Sequence, residues 1–121
     1  MKTALIIEDC FEIRENLSEI LELAGYKVLA TGNGEEGIST AITKIPDFIL
    51  CDIMMPNIDG YDVMKQVKSD PASANIPFIF VTASVEKREM EYALTLGADG
   101  YVRKPFDDKD LFEVIERVLS K

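Results

Sequence analysis

The chain alternates short apolar runs with longer segments in which apolar residues recur every three or four positions. The apolar runs predict five buried strands, at residues 2–7, 26–30, 47–51, 76–81 and 100–103. The periodic segments predict helices at residues 11–24, 34–44, 60–68 and 86–96, and a fifth one near the C-terminal end. Alternating strands and helices with short connections indicate parallel strands joined by right-handed crossovers. We therefore predict an α/β fold, a three-layer sandwich with helices on both faces of the sheet.

The same pattern predicts helix ends and helix faces. Gly25 and Gly97 follow two of the helices as stop signals, and Asp107 or Asp108 is expected to cap the last helix. Ser18 is expected on the polar side of the first helix. The residues expected to face the core are Ile13, Leu17, Ile20, Leu21 and Ala24 in the first helix, Met90, Ala93 and Leu94 in the fourth, and Leu111, Val114, Ile115 and Val118 in the last.

Length and charge narrow the possible classes of function. A chain of 121 residues suffices for about one domain with its own core, so we expect residues 1–121 to form a single domain. The net charge of −9, with scattered basic residues, argues against nucleic acid as a direct partner. No apolar run is long enough for a membrane helix and no signal-peptide pattern opens the chain, so we expect no membrane insertion and a cytoplasmic location.

The sequence contains no histidine. This excludes a Ser-His-Asp or Cys-His relay, a histidine-based metal site and a phosphohistidine carried by this chain. The two cysteines, Cys10 and Cys51, are too few for a disulfide framework or a structural zinc site. We expect both to be reduced, buried thiols.

Polar residues end four of the five predicted strands. Glu8 and Asp9 follow the first strand, Asp52 the third, Thr82 the fourth and Lys104 the fifth. Because the carboxyl ends of parallel strands share one edge of a sheet, we expect these side chains to lie together. Three neighbouring carboxylates favour a hard divalent cation, and Mg²⁺ suits oxygen ligands shared with a phosphate. A hydroxyl and an ammonium beside them complete a set typical of phosphoryl transfer.

These residues and the motifs around them resemble the receiver domain of bacterial response regulators. The resemblance covers essentially the whole chain and rests on order and spacing, with thirty positions from Asp52 to Thr82 and twenty-two from Thr82 to Lys104. The motifs are Glu8-Asp9, Asp52 with Met55-Pro56 and Asp59-Gly60, Thr82-Ala83, Gly97-Ala98-Asp99-Gly100-Tyr101, and Lys104-Pro105-Phe106.

The resemblance implies a flavodoxin-like (βα)5 fold with strand order 2-1-3-4-5. It implies that Asp52 is the phosphoacceptor and that Asp9 and Asp52 bind Mg²⁺ directly. Glu8 would act through a water, and the backbone carbonyl of Met54 would supply a further ligand. Lys104 would contact the phosphoryl group, and the peptide bond that follows Lys104 would be cis.

The resemblance also implies a partner and a switch. A phosphohistidine on a sensor histidine kinase or phosphotransfer protein would donate the phosphoryl group to Asp52. The domain would then be mainly a signalling switch that catalyses only its own phosphorylation and dephosphorylation, with Met54 and Ser84 governing the approach of water. Thr82 would sense the phosphate and Tyr101 would turn inward after it. This movement would change the face of the fourth helix, fifth strand and fifth helix that a downstream protein contacts.

Three alternatives use the same residues differently. A Mg²⁺-dependent phosphatase of the haloacid dehalogenase type also forms an aspartyl phosphate, but that family has a second aspartate two positions after the nucleophile, where this chain has Met54. A flavodoxin-like FMN site would need a hydroxyl-rich phosphate loop after the first strand. A protein-binding receiver that is never phosphorylated is disfavoured by the complete set of acids, threonine and lysine.

Residues 32–37, Gly-Asn-Gly-Glu-Glu-Gly, match the glycine pattern of dinucleotide-binding sites. They follow the second strand instead of the first, and Glu35 and Glu36 occupy the helix start where a pyrophosphate would lie. We therefore interpret this segment as a turn and helix cap.

Phe11 lies outside the core stripe of the first helix, beside Glu15 and close to the predicted active edge. An isolated exposed aromatic residue usually has no function. The alternative is that Phe11 and Glu15 belong to a docking surface for the kinase.

Signal output is expected through contact with a partner protein if the chain is complete, and through a further domain if it is a piece of a longer protein.

Overall fold

Five strands and five helices alternate along the chain, as the hydrophobic pattern predicts. The computed structural model describes residues 1–83 and 86–120. The strands are β1 (Thr3–Ile7), β2 (Lys27–Thr31), β3 (Phe48–Cys51), β4 (Phe78–Thr82) and β5 (Gly100–Arg103). The helices are α1 (Phe11–Leu23), α2 (Gly34–Lys44), α3 (Gly60–Ser69), α4 (Lys87–Thr95) and α5 (Asp108–Leu119).

The strands form one parallel sheet in the order β2-β1-β3-β4-β5. This confirms the flavodoxin-like α/β fold and the strand order that the family resemblance implies. The three central strands β1, β3 and β4 are buried along nearly their whole length, because helices cover both faces of the sheet. Continuous burial explains why these strands are unbroken apolar runs instead of alternating patterns.

Two apolar clusters fill the spaces on either side of the sheet. Successive strand residues point to opposite faces, so alternate residues of each strand enter different clusters. Leu5 and Ile49 pack with residues of α2, α3 and α4, whereas Ile6 and Leu50 pack with residues of α1 and α5. The helices thus divide into a group of three and a group of two, which gives the predicted three layers.

Two helices differ from the predicted core faces at single positions. Ser18 is buried and Ala24 is exposed, the reverse of the prediction for α1. The hydroxyl of Ser18 can be buried because it donates a 2.8 Å hydrogen bond to the carbonyl of Arg14 one turn earlier, while Ala24 lies at the helix end. Leu94 is also exposed, because it lies about 100° around α4 from the buried Ala93.

The helix ends follow the predicted chemistry. Gly25 and Gly97 have φ angles of 96° and 113°, which a residue with a Cβ rarely adopts. Asp107 is the residue that caps α5, since its side chain accepts a hydrogen bond from the amide of Asp110. Asn33 caps α2 in the same way, which supports the interpretation of residues 32–37 as a turn and cap.

The two cysteines have different environments. Cys51 is buried in β3, as expected, but Cys10 is exposed, so the prediction of two buried thiols was wrong for Cys10. Cys10 precedes α1 in the loop after β1, where the chain leaves the core.

Within the described part of the chain, no helix combines the length and the apolar character needed to cross a membrane.

Candidate phosphoacceptor and metal site

The first and third strands bring three carboxylates together at the carboxyl edge of the sheet. Glu8 and Asp9 follow β1, and Asp52 follows β3. One ligand oxygen from each of the three lies within 4.8 Å of the others. Glu8 and Asp52 are buried, with 1% and 8% of their surface exposed, whereas Asp9 is exposed. The acids that the sequence predicts to converge therefore do so.

Backbone pairing continues one residue beyond each strand and fixes these acids in place. The amide of Glu8 donates to the carbonyl of Thr31 at 3.1 Å, and the amide of Asp52 donates to the carbonyl of Ile7 at 3.0 Å. Ile7 and Cys51 are partners in the parallel ladder, so the residues that follow them emerge side by side. The register of β1 against β3 is thus what places Glu8 next to Asp52.

Lys104 reaches the acids from the end of β5. Its Nζ atom lies 2.7 Å from Glu8 Oε1 and 3.6 Å from Asp52 Oδ2. The amide of Lys104 donates to the carbonyl of Thr82 at 2.7 Å, which extends the pairing of β4 with β5. The peptide bond between Lys104 and Pro105 is cis, as the family resemblance implies.

Thr82 and Tyr101, the two predicted switch residues, are both buried. Thr82 ends β4 with 1% of its surface exposed, and Tyr101 lies in β5 with 9% exposed. The ring of Tyr101 belongs to the apolar cluster beneath α3 and α4, so it already points inward in this structure. Ser84, expected to influence the approach of water, lies outside the described residues.

The loop between β3 and α3 folds back over the backbone of Asp52. Gly60 donates its amide to the carbonyl of Ile53 at 2.9 Å. A Cβ added to Gly60 would clash with the carbonyl oxygen of Asp52 and lie 2.8 Å from the Cα of Ile53, so only glycine permits this approach. Met54, in the same loop, exposes 77% of its surface, and its side chain therefore does not enter the core.

The electrostatics of the site favour a cation. Asp9 is exposed overall, but the partial loss of water around its carboxylate, followed by the neighbouring Glu8 carboxylate, raises its pKa, and Lys104 opposes that rise. Burial and the nearby Asp52 carboxylate also raise the pKa of the Cys51 thiol well above its usual value. Three carboxylates facing one ammonium leave an excess of negative charge. An all-oxygen donor set with excess negative charge suits Mg²⁺.

The two predicted docking residues lie at the start of α1. Phe11 exposes 63% of its surface, and Glu15 is exposed one turn later. The guanidinium carbon of Arg14 lies 5.5 Å from the centroid of the Phe11 ring. Phe11 is therefore not an isolated aromatic residue, because one face of its ring has a partner.

Sequence reasoning missed Arg14 and the close approach of Gly60. Arg14 donates a 2.9 Å hydrogen bond from Nη1 to the backbone carbonyl of Glu8. Its positive charge could have drawn attention to it, because Arg14 is the one basic residue in an α1 segment that carries four glutamates. The sequence presents Gly60 only as part of the Asp59-Gly60 motif, because its contact with the backbone of Asp52 depends on how the loop folds.

Comparison with known proteins identifies the family to which this fold belongs. A family model described as the response regulator receiver domain matches residues 4–116. The response regulator SaeR of Staphylococcus aureus is 40% identical over 121 residues, which make up 100% of this chain and 52% of SaeR. The chain thus spans about half the length of the curated relatives that it matches.

Solved structures show the same fold. The chemotaxis protein CheY4 of Vibrio cholerae has a TM-score of 0.91 at 28% identity, covering 98% of both chains. The receiver domain of the sensor histidine kinase PA1611 of Pseudomonas aeruginosa has a TM-score of 0.91 at 25% identity, covering 99% of this chain and 98% of that one. A magnesium ion is coordinated in the active site cleft of the PA1611 domain. With its matching sequence model, fold and acidic edge, this chain belongs to the response regulator receiver domain family of two-component signalling.

Proposed function

We propose that this domain receives a phosphoryl group on Asp52 from a phosphohistidine of a sensor histidine kinase or phosphotransfer protein. One observation carries the proposal: the buried Asp52 carboxylate lies beside two further acids and 3.6 Å from the ammonium of Lys104. A nucleophile of this kind needs neighbours that neutralise the charge of the incoming phosphoryl group.

In the transfer step, a carboxylate oxygen of Asp52 forms a bond to phosphorus. The bond between phosphorus and the imidazole nitrogen of the donor breaks, and that nitrogen keeps the electron pair and takes up a proton. Lys104 neutralises a phosphoryl oxygen during this exchange. Attack of water on the phosphorus later breaks the bond between phosphorus and the Asp52 oxygen, releases inorganic phosphate and returns Asp52 to a free carboxylate, so the domain resets itself.

Glu8, Asp9, Asp52 and the backbone carbonyl of Met54 would hold Mg²⁺ at this edge. The fit rests on the three carboxylates whose oxygens approach within 4.8 Å of one another. When bound, the ion supplies positive charge that offsets both the carboxylates and the phosphoryl oxygens. Asp9 is the exposed member of the set, and its carboxylate is the one that solvent reaches most freely.

Thr82 and Tyr101 would transmit the change to a partner. Phosphorylation adds about 1.5 to 2 negative charges beside the end of β4. Thr82 ends that strand, and Tyr101 lines a cleft between α4 and α5 together with Met90 and Val114. A downstream protein that binds the α4, β5 and α5 face would contact this cleft, so a small movement of either side chain would alter its binding surface.

Phe11 and Glu15 would form part of the surface that the kinase contacts. Both are exposed on α1, which begins two residues after Asp9. Phe11→Ala should slow transfer from the cognate kinase and leave phosphorylation by a small phosphodonor unchanged. Leu23→Ala is the matched control, because Leu23 is an exposed apolar residue at the other end of α1. Equal losses with both donors would contradict docking.

The test of the phosphoacceptor assignment is the intact mass of the protein after incubation with Mg²⁺ and a small phosphodonor. Wild type should gain one phosphoryl group and Asp52→Asn should gain none. Equal gain in the variant, or no gain in wild type, would refute the proposal. A second measurement on the same protein distinguishes a receiver from a phosphatase of the haloacid dehalogenase type. Only the phosphatase would hydrolyse an added phosphate ester with repeated turnover.

A further inference from the structure

Three contacts hold the side chain of Arg14 beside the acidic edge. Its Nη1 donates a 2.9 Å hydrogen bond to the carbonyl oxygen of Glu8. Its guanidinium carbon lies 5.5 Å from the centroid of the Phe11 ring, a distance suited to a cation–π contact. The same guanidinium lies against Gly32, where an added Cβ would be 2.9 Å from Nη1. A planar group enclosed in this way has little freedom to turn.

The peptide unit that Arg14 contacts is the one that joins Glu8 to Asp9. The amide of Glu8 is held on the other side by the carbonyl of Thr31 at 3.1 Å. The main chain of Glu8 is therefore fixed at both its donor and its acceptor. Because the peptide unit is planar, fixing the carbonyl of Glu8 also fixes the direction in which the chain enters Asp9.

We propose that Arg14 is a positioning residue for the metal site, holding the Glu8–Asp9 peptide so that the carboxylate of Asp9 faces Asp52. This inference rests on the proposed function, which assigns Mg²⁺ to these acids. Arg14 acts through the backbone carbonyl of Glu8 and does not contact a carboxylate that would bind the ion. Groups that orient ligands from outside the coordination sphere commonly tune metal affinity.

Charge and position predict opposite effects of removing Arg14. A guanidinium bound to the peptide between two of the proposed ligands repels an incoming cation, so loss of its charge alone should tighten Mg²⁺ binding. Loss of its hydrogen bond should release the Glu8–Asp9 peptide and weaken Mg²⁺ binding. The sign of the change therefore separates the two roles.

The experiment compares Arg14→Met, Arg14→Lys and the control Arg117→Met by calorimetric titration with MgCl₂, with unfolding measured separately in EDTA. Met keeps the apolar stem but has no donor, whereas Lys restores a donor and a charge. Arg117 is an exposed arginine in the last turn of α5 and undergoes the same change of charge. We expect the Mg²⁺ dissociation constant of Arg14→Met to rise roughly tenfold, that of Arg14→Lys to rise much less, and that of Arg117→Met to stay unchanged or fall.

An Arg14→Met protein that binds Mg²⁺ as tightly as wild type, or more tightly, would overturn the proposal. A loss in Arg14→Met that Arg14→Lys does not reduce at all would also overturn it. If Arg14→Met does not fold, Arg14→Gln carries the same expectation, because its amide is too short to reach the carbonyl of Glu8. Failure of the metal site itself gives a different result, in which wild type binds no Mg²⁺ or Asp9→Asn binds it equally well.

Discussion

Lys104 donates a 2.7 Å hydrogen bond to Glu8 across ninety-six positions of the chain. The side chains are largely withdrawn from water, with 15% of Lys104 and 2% of Glu8 exposed. Removal of either side chain would leave the other charge buried and unpaired, which is strongly destabilising. The same ammonium lies 3.6 Å from Asp52, so one residue both stabilises the metal-free fold and faces the proposed phosphoacceptor.

Replacement of Lys104 by Met should destabilise the metal-free protein and tighten Mg²⁺ binding. The free energy of unfolding in EDTA should fall by about 1 to 3 kcal/mol, because Glu8 is left buried without its partner. Mg²⁺ should recover most of this loss, and transfer of a phosphoryl group to Asp52 should slow. Chemical denaturation with and without Mg²⁺ measures the effect. Lys109→Met, at an exposed lysine of α5, is the control, and a loss of equal size there would contradict this account.

The pH dependence of metal-free stability and of Mg²⁺ affinity should reveal the titration of Asp9. Its pKa is raised, mainly by the partial loss of water around its carboxylate and then by Glu8, so between the unfolded and the folded pKa the folded chain binds more protons than the unfolded chain. From the ordinary aspartate pKa of about 3.9 up to the raised value, metal-free stability should therefore fall as pH rises. Affinity for Mg²⁺ should rise over the same window, because the ion needs the ionised carboxylate. In Asp9→Asn, both the stability measured by chemical denaturation and the Mg²⁺ affinity should depend less on pH over this window. An unchanged pH dependence in that variant would contradict the assignment of the titration to Asp9.

Gly60→Ala should damage both stability and phosphorylation. The added Cβ would clash with the carbonyl oxygen of Asp52, so the loop must move by shifting the backbone that carries the phosphoacceptor. We expect a loss of about 1 to 3 kcal/mol, typical of overpacking, and slower phosphorylation by a small phosphodonor. Gly25→Ala is the matched control: its φ of 96° makes alanine unfavourable, but nothing lies within 4 Å of the added atom. Gly25→Ala should lower stability and leave phosphorylation unchanged.

Asp99→Ala should cost more stability than Asp47→Ala. Oδ2 of Asp99 accepts a 2.8 Å hydrogen bond from the amide of the fully buried Phe78, and Lys68 lies 3.8 Å from the same oxygen. Asp47 accepts a 2.6 Å hydrogen bond from the amide of Thr3 at an exposed position, where water can replace it. We expect about 1 to 3 kcal/mol for Asp99→Ala, the cost of an unsatisfied buried donor, and less for Asp47→Ala. Equal losses in thermal or chemical unfolding would show that burial of the Phe78 amide is unimportant.

Hydrophobic periodicity predicted the type and order of every element in the described chain, because burial imposes a different spacing on strands and helices. It also predicted that Glu8, Asp9, Asp52 and Lys104 share an edge, since parallel strands all end on the same side. It was less successful for helix faces. The pattern predicts Ser18 on the wrong side of α1, because its hydroxyl is satisfied by a hydrogen bond within the helix, a contact that hydropathy does not register.

The amino-acid pattern alone predicts the fold class, the helix stops at Gly25 and Gly97, and the acids at the strand ends, because these depend on local conformation and on burial along each segment. Three contacts follow only from the packing of the whole chain: Lys104 pairs with Glu8, Arg14 reaches the carbonyl of Glu8, and Gly60 lies against the backbone of Asp52. Those contacts join residues from different elements. Their distances depend on strand register and on the rotation of packed helices, which no single segment of the sequence specifies.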